Sequence, residues 1–105
     1  MDEEFVSYLT ESLRKFFRKK AEEIVRAKMK WFYIKEENEL RETEKIDEFL
    51  QNLDTEIDRL VSLYIEKLKE AALTSAEQIE NNPSKVNEIT REVEDELSSK
   101  MEQLK

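Results

Sequence analysis

The sequence predicts an all-α protein, built as an elongated antiparallel helical hairpin with a third helix packed alongside and expected to form oligomers. The chain has no glycine and one proline among its 105 residues, whereas sheet proteins need frequent tight turns that use these residues. Glu, Lys, Leu and Ile, which favour helices, are abundant. The apolar residues also recur at helical spacing. We expect one domain spanning residues 1–105.

The first predicted helix runs from about residue 2 to residue 37. Its apolar residues are spaced to lie on one face of a helix with 3.6 residues per turn. A helix of this length would be about 50 Å long. The predicted stripe consists of Phe5, Leu9, Leu13, Phe16, Ile24, Ala27, Trp31 and Ile34.

The second predicted helix runs from about residue 44 to residue 73. Its apolar residues follow steps of four and three, close to the seam of a coiled coil. They are Ile46, Leu50, Leu53, Ile57, Leu60, Tyr64 and Leu68. Leu40 is the one apolar residue between the first stripe and this seam. That gap predicts a hairpin with Asn38 as a left-handed cap and Thr43 as the next N-cap, or alternatively a helix that runs straight through.

The third predicted helix runs from about residue 83 to residue 104. Asn82 before Pro83 is a typical helix start, with Asn as the cap and Pro at the first helical position. Thr74 with Glu77, and Ser75 with Gln78, fit capping boxes, which favours a short separate turn over 75–81. The third stripe consists of Val86, Ile89, Val93, Leu97, Met101 and Leu104.

The composition excludes several classes of enzyme. Without Cys or His there is no usual zinc site, haem ligand, thiolate nucleophile or Ser-His-Asp triad. Without Gly there is neither a P-loop nor a dinucleotide fingerprint. We therefore expect no cofactor, no metal and no catalysis. The acidic start Met1-Asp2-Glu3-Glu4 is unlike a signal peptide, and no apolar run is long enough to span a membrane. These features predict a cytoplasmic protein with no membrane partner.

Charge is segmented along the chain. Residues 1–13 carry a net charge of −4, residues 14–35 of +7, residues 36–66 of −8 and residues 67–105 of −3. In an antiparallel hairpin the basic first helix and the acidic second helix would face each other and select the register. The alternative is a face that binds phosphates of nucleic acid. That candidate face consists of Arg14, Lys15, Arg18, Lys19, Arg26 and Lys30.

The aromatic segment, residues 29–34 with the sequence Met-Lys-Trp-Phe-Tyr-Ile, is the strongest candidate for a partner site. Together with Val25, it makes the first helix apolar around most of its circumference, and such a helix has something packed on both sides. The third helix is one candidate cover. A second protein or a second copy of the chain is the other, because aromatic residues and Met are enriched at interfaces. The predicted contact residues are Val25, Met29, Trp31, Phe32 and Tyr33.

Two short patterns resemble known functional motifs. Glu36-Glu37-Asn38-Glu39, followed by Glu56-Ile57-Asp58, resembles the acidic motifs EExxE and ExxD of the all-helical MazG-type nucleotide pyrophosphohydrolases. Each group is one residue shorter than the family pattern. The resemblance implies carboxylates that hold Mg²⁺ against the phosphates of a nucleotide.

The second pattern lies at residues 10–17 of the first predicted helix. Thr10, Leu13, Phe16 and Phe17 are similar to the sliding-clamp-binding peptide QxxLxxFF, with Thr10 in place of Gln. The alternative is that Leu13, Phe16 and Phe17 pack in the core of their own chain.

The sequence therefore predicts a protein that binds and does not catalyse. The leading hypothesis is an assembly subunit, as a homo-oligomer or as part of a larger complex, that uses the aromatic segment. The first alternative is nucleic-acid binding through the basic face. The second is a MazG-like Mg²⁺-dependent nucleotide pyrophosphohydrolase.

Overall fold

The protein is described by a computed structural model that covers residues 1–35 and 52–102. Side chains are described for residues 1–25, 27 and 52–102. The predicted hairpin with its Asn38 and Thr43 caps lies outside these residues, as do Ile46, Leu50 and Leu104.

The described residues form four helices and contain no strand, which confirms the all-α prediction for this part of the chain. Helix α1 spans Glu3–Lys35, α2 spans Leu53–Glu70, α3 spans Ala76–Glu80 and α4 spans Pro83–Glu102. Each of the long helices α1, α2 and α4 contacts the other two, and α3 contacts α4. The principal dimensions are 51 × 24 × 16 Å.

The directions of the helices follow from the ion pairs between them. One turn along α1, from Arg14 to Arg18, corresponds to one turn backwards along α2, from Asp58 to Asp54. The helices α1 and α2 therefore run in opposite directions where they meet. Along α2 and α4, Arg59 pairs with Glu96 and Lys67 pairs with Glu92, which is again the opposite order.

The start of the short helix α3 is fixed by side-chain capping. The Ser75 hydroxyl accepts a hydrogen bond from the backbone N–H of Gln78 at 3.2 Å. The Gln78 side chain in turn accepts from the backbone N–H of Thr74 at 2.8 Å. This is close to the reciprocal arrangement of a capping box, so the predicted short turn is confirmed. Helix α4 begins at Pro83, directly after Asn82, as predicted.

The core is a single cluster of apolar side chains from α1, α2, α4 and Leu73, and no charged or polar side chain of the described residues is buried. The predicted stripes of α2 and α4 are confirmed where they are described. Ile89, Val93, Leu97 and Met101 of α4 are buried, as are Leu53, Ile57, Leu60, Tyr64 and Leu68 of α2.

The stripe predicted for α1 is partly wrong. The buried residues follow steps of four: Leu13, Phe17, Ala21 and Val25. Phe16, placed in the stripe by the sequence, is 38% exposed, whereas its neighbour Phe17 is fully buried. Ala27 is exposed as well. Each step of four residues advances 40° around a helix, so the buried residues do not lie on one straight stripe along α1. The spacing of the apolar residues in the sequence therefore did not determine which of them face the core.

Candidate functional site

The basic face of α1 is divided by its contacts with α2. Arg14 donates two hydrogen bonds to Asp58, at 3.0 Å from Nε and 2.6 Å from Nη2. Arg18 lies 3.4 Å from Asp54 and 3.6 Å from Glu22. The hydrogen bond to Asp58 raises the pKa of the Arg14 guanidinium above its usual range. Both arginines are thus directed to the acidic residues of α2, as the hairpin-edge interpretation predicts.

Lys15 and Lys19 of the same face are open to solvent. Neither of them forms an ion pair within the part of the chain that the structure describes. The side chains of Arg26 and Lys30 lie outside the described residues. The structure therefore separates the predicted anion-binding set into two arginines engaged with α2 and two lysines open to solvent.

The predicted partner-binding residues also separate into two groups. Val25 is 4% exposed and belongs to the core of its own chain, so its side chain is not available at the surface. Met29, Trp31, Phe32 and Tyr33 lie on the helical backbone of α1, which continues to Lys35. Their side chains lie outside the described residues.

The ion pairs show which residues of α1 and α4 lie at the same height along the bundle. Asp58 and Arg59 are neighbours on α2, and they pair with Arg14 of α1 and Glu96 of α4 respectively. Arg14 and Glu96 therefore lie at about the same level of the molecule. Since α1 and α4 both run opposite to α2, they run in the same direction.

The described ends of α2 and α4 stop short of the aromatic segment. With a rise of 1.5 Å per residue, Glu102 at the end of α4 is level with about residue 20 of α1. The described part of α2 begins at Leu53, beside the residue that pairs with Arg18. The segment that starts at Met29 lies about 13 Å farther along α1. The described part of α4 is therefore not its cover.

Two aromatic side chains are exposed on the described part of α1. Tyr8 is 70% exposed and Phe16 is 38% exposed. The sequence analysis did not single out Tyr8, although its position in the sequence predicts that its side chain is exposed. Tyr8 lies seven residues before Lys15 and so shares a helix face with a charged residue and not with the apolar stripe.

The contact between α2 and α4 is lined by ion pairs on its outer side. Arg59 bridges Glu56 at 2.6 Å and Glu96 at 3.1 Å, and Lys67 lies 2.9 Å from Glu92. Hydrogen bonding to its lysine partner lowers the pKa of Glu92, and the pKa of Lys67 rises for the same reason. The Arg59–Glu96 and Lys67–Glu92 pairs cross from one helix to the other, and each of these charges is partnered within the chain.

The described carboxylates of the MazG-like pattern are engaged with arginines. Glu56 pairs with Arg59, and Asp58 pairs with Arg14. No group of carboxylates suited to a metal ion occurs among residues 1–25 and 52–102. The first acidic group, residues 36–39, lies outside the described residues.

Two of the three apolar residues of the clamp-like pattern, Leu13 and Phe17, are buried in the core. Leu13 is 8% exposed and Phe17 is fully buried, with its ring centroid 6.1 Å from that of Tyr64. A peptide that docks on a clamp would have to expose both side chains. Core packing therefore explains this pattern better than clamp binding.

Comparison with known proteins gives no relative from which to transfer a function. No family model matches the chain, and neither a curated protein nor a solved structure is significantly similar to it. Among the described residues, no helix has both the length and the apolarity needed to cross a membrane.

Proposed function

We propose that the chain is an antiparallel three-helix bundle that acts as a non-catalytic assembly subunit through the aromatic segment of α1. The observation that carries this proposal is that α1 is helical as far as Lys35. The aromatic segment therefore lies on a helix, and a helix that is apolar around most of its circumference has something packed on both sides. The described part of α4 ends at about the level of residue 20 of α1 and does not cover this segment.

The sequence directly after α1 is mostly charged. Residues 36–45 contain a single apolar residue, Leu40. Residues 46–51 add Ile46, Phe49 and Leu50, and Ile46 and Leu50 belong to the stripe predicted for the second helix. A partner or a second copy can supply the apolar surface that the aromatic segment needs, and buried aromatic side chains commonly dominate the binding energy of interfaces.

The other two functions have less support. Nucleic-acid binding needs an unobstructed basic face, but Arg14 and Arg18 are engaged with Asp58 and Asp54. This leaves Lys15 and Lys19 as the described contribution to such a face. Nucleotide hydrolysis needs free carboxylates, and Asp58 already binds an arginine in the described part of the chain.

The test compares the wild-type chain with Phe32→Asp and Tyr33→Asp. We expect the wild type to form an oligomer, or to capture a partner from lysate, at both about 0.1 M and about 1 M salt, because apolar contacts resist screening. Both variants should lose that association, since a carboxylate in an apolar interface is strongly unfavourable. Light scattering during size exclusion measures the mass.

Ser98→Asp is the matched control, because it adds the same charge at an exposed position of α4. It should leave the oligomeric mass and the captured protein unchanged. If Phe32→Asp and Tyr33→Asp also change neither of these nor the stability, the aromatic segment is not the partner site.

A further inference from the structure

The face of the bundle that α1 and α4 share carries apolar side chains that the core covers only in part. Phe16 is 38% exposed, and Phe5 and Leu9 are half-buried. Phe5, Leu9, Ser12 and Phe16 are separated by steps of four, three and four, so they form one row along α1. We call these four residues the outer row.

The outer row lies on the side of α1 that faces away from α2. Arg14, which pairs with Asp58 of α2, lies about 100° around the helix from the buried Leu13, and Phe16 lies about 60° from Leu13 in the other direction. The row is therefore next to α4. An open groove of about 530 Å³ between α1 and α2 lies on the opposite side of α1 and is not part of this face.

Helix α4 contributes two charged residues to the same face. Glu92 and Glu96 mark the side of α4 that faces α2, because both form ion pairs with that helix. Glu94 lies about 100° from the buried Val93 in one direction, and Glu92 lies about 100° from it in the other. Arg91 is exposed and Glu94 is half-buried, and neither forms an ion pair within the described residues.

The outer row is arranged so that it can pair with a second copy of itself. Two antiparallel copies of α1 can be related by a twofold axis between residues 10 and 11. Phe5 of one copy then meets Phe16 of the other, and Leu9 meets Ser12. Each phenylalanine of the row is thereby removed from water, which favours association.

The charges of α4 favour the same axis. Arg14 of α1 is about level with Glu96 of α4, and the two helices run in the same direction. Residues 10 and 11 of α1 are therefore about level with residues 92 and 93 of α4. An axis at this level brings Arg91 of one copy opposite Glu94 of the other, twice in the dimer.

We infer that a second copy of the chain binds the face shared by α1 and α4. The outer rows of the two copies lie antiparallel, and Arg91 of each faces Glu94 of the other. The phenylalanines supply the apolar contact, and the charge pairs select the register. This surface is separate from the aromatic segment, so it gives the chain a self-association site in addition to the proposed partner site.

Sedimentation equilibrium on the full chain tests the apolar part of this contact. We expect Phe16→Ala to weaken self-association about tenfold or more, as the loss of an interface anchor does. Leu63→Ala is the matched control, because it truncates a half-buried apolar residue of α2, outside this face. It should leave self-association unchanged. Because Phe16 is partly exposed, Phe16→Ala should keep the helical circular dichroism signal.

A charge exchange tests the register. Arg91→Glu alone and Glu94→Arg alone should each weaken association about fivefold or more at about 0.1 M salt, because each places like charges opposite one another twice. The double variant, with both exchanges in one chain, should restore it. Lys100→Glu, at an exposed position on the α2 side of α4, is the control for the change in net charge.

Ser98→Asp, the control for the aromatic segment, should also keep this contact. About the same axis, Ser98 of one copy faces Asn87 of the other, and the amide of Asn87 can donate a hydrogen bond to a carboxylate.

A chain that stays monomeric at all accessible concentrations overturns the inference. Self-association that Phe16→Ala leaves unchanged overturns it as well, and so does a double charge exchange that binds no more tightly than the single ones. An oligomer that is lost with Phe32→Asp but kept with Phe16→Ala and Arg91→Glu overturns this inference and leaves the proposed function standing. The opposite pattern supports the face shared by α1 and α4 and overturns self-association through the aromatic segment.

Discussion

At the scale of single residues, the end of α2 carries a backbone conformation that its sequence does not favour. Ala72 has a positive φ of 60°, the left-handed region that glycine normally occupies at the end of a helix. The N–H of Leu73 donates to the carbonyl of Leu68 at 2.9 Å, and that of Ala72 to Lys69 at 3.0 Å. These are the two hydrogen bonds of a Schellman motif. Leu68 and Leu73 are both buried, so core packing holds the alanine in place.

We predict that Ala72→Gly raises the free energy of unfolding by about 0.5–1 kcal/mol, because the left-handed conformation disfavours any residue with a Cβ. Urea denaturation measures the change. Ala71→Gly is the matched control, since Ala71 has a φ of −85° and gains nothing from glycine. It should lower the stability. Equal effects of the two substitutions would contradict the left-handed assignment.

At the scale of helices, ion pairs fix the register between the antiparallel helices α1 and α2. The Arg14–Asp58 pair is well formed, but the two side chains are 47% and 55% exposed. Water and salt therefore screen it. The ion pair selects the register between α1 and α2, whereas the buried apolar stripes supply the stability of the helix pair.

We predict that a double-mutant cycle with Arg14→Gln and Asp58→Asn gives a coupling energy of about 0.2–1 kcal/mol, typical of an exposed pair. The coupling should fall at about 1 M salt. The same cycle with Glu66→Gln in place of Asp58→Asn is the control, because Glu66 is on α2 but makes no ion pair with Arg14. Coupling to Glu66 and not to Asp58 would mean that the helices meet in another register.

At the scale of the whole molecule, Phe17 joins the helices in one core. Its side chain is fully buried, and its ring makes an edge-to-face contact with Tyr64. The hydroxyl of Tyr64 lies 2.7 Å from that of Thr90 on α4. A domain of this size has a small net stability, so the loss of one such side chain is a large fraction of it.

We predict that Phe17→Ala lowers the free energy of unfolding by about 3–5 kcal/mol, and that Phe16→Ala lowers it much less. Urea denaturation of both variants gives the comparison. If Phe17→Ala does not fold, Phe17→Leu and Phe16→Leu provide a milder version of the same test. A larger loss of stability with Phe16→Ala than with Phe17→Ala would support the stripe that the sequence analysis predicted, with Phe16 facing the core.

The candidate sites could be predicted from the sequence only in part. The basic face was visible as a set of six residues, but the engagement of Arg14 and Arg18 with α2 depends on which helix lies beside them. Val25 looked like a contact residue because helical spacing placed it away from the predicted stripe. Val25 is buried because the buried residues of α1 follow one another at intervals of four, from Leu13 to Val25. The groove between α1 and α2 depends on two helices meeting and has no signature in either helix alone.

The sequence by itself determined the helical class, the stripes of α2 and α4, and the caps at Ser75 and Pro83. These features depend on local propensity and periodicity, which act within a few residues. The tertiary structure alone decided which of Phe16 and Phe17 is buried and which charges are paired. Such features are set by the packing of helices that are distant in sequence, and a helix with apolar residues on more than one side admits several packings until its neighbours select one.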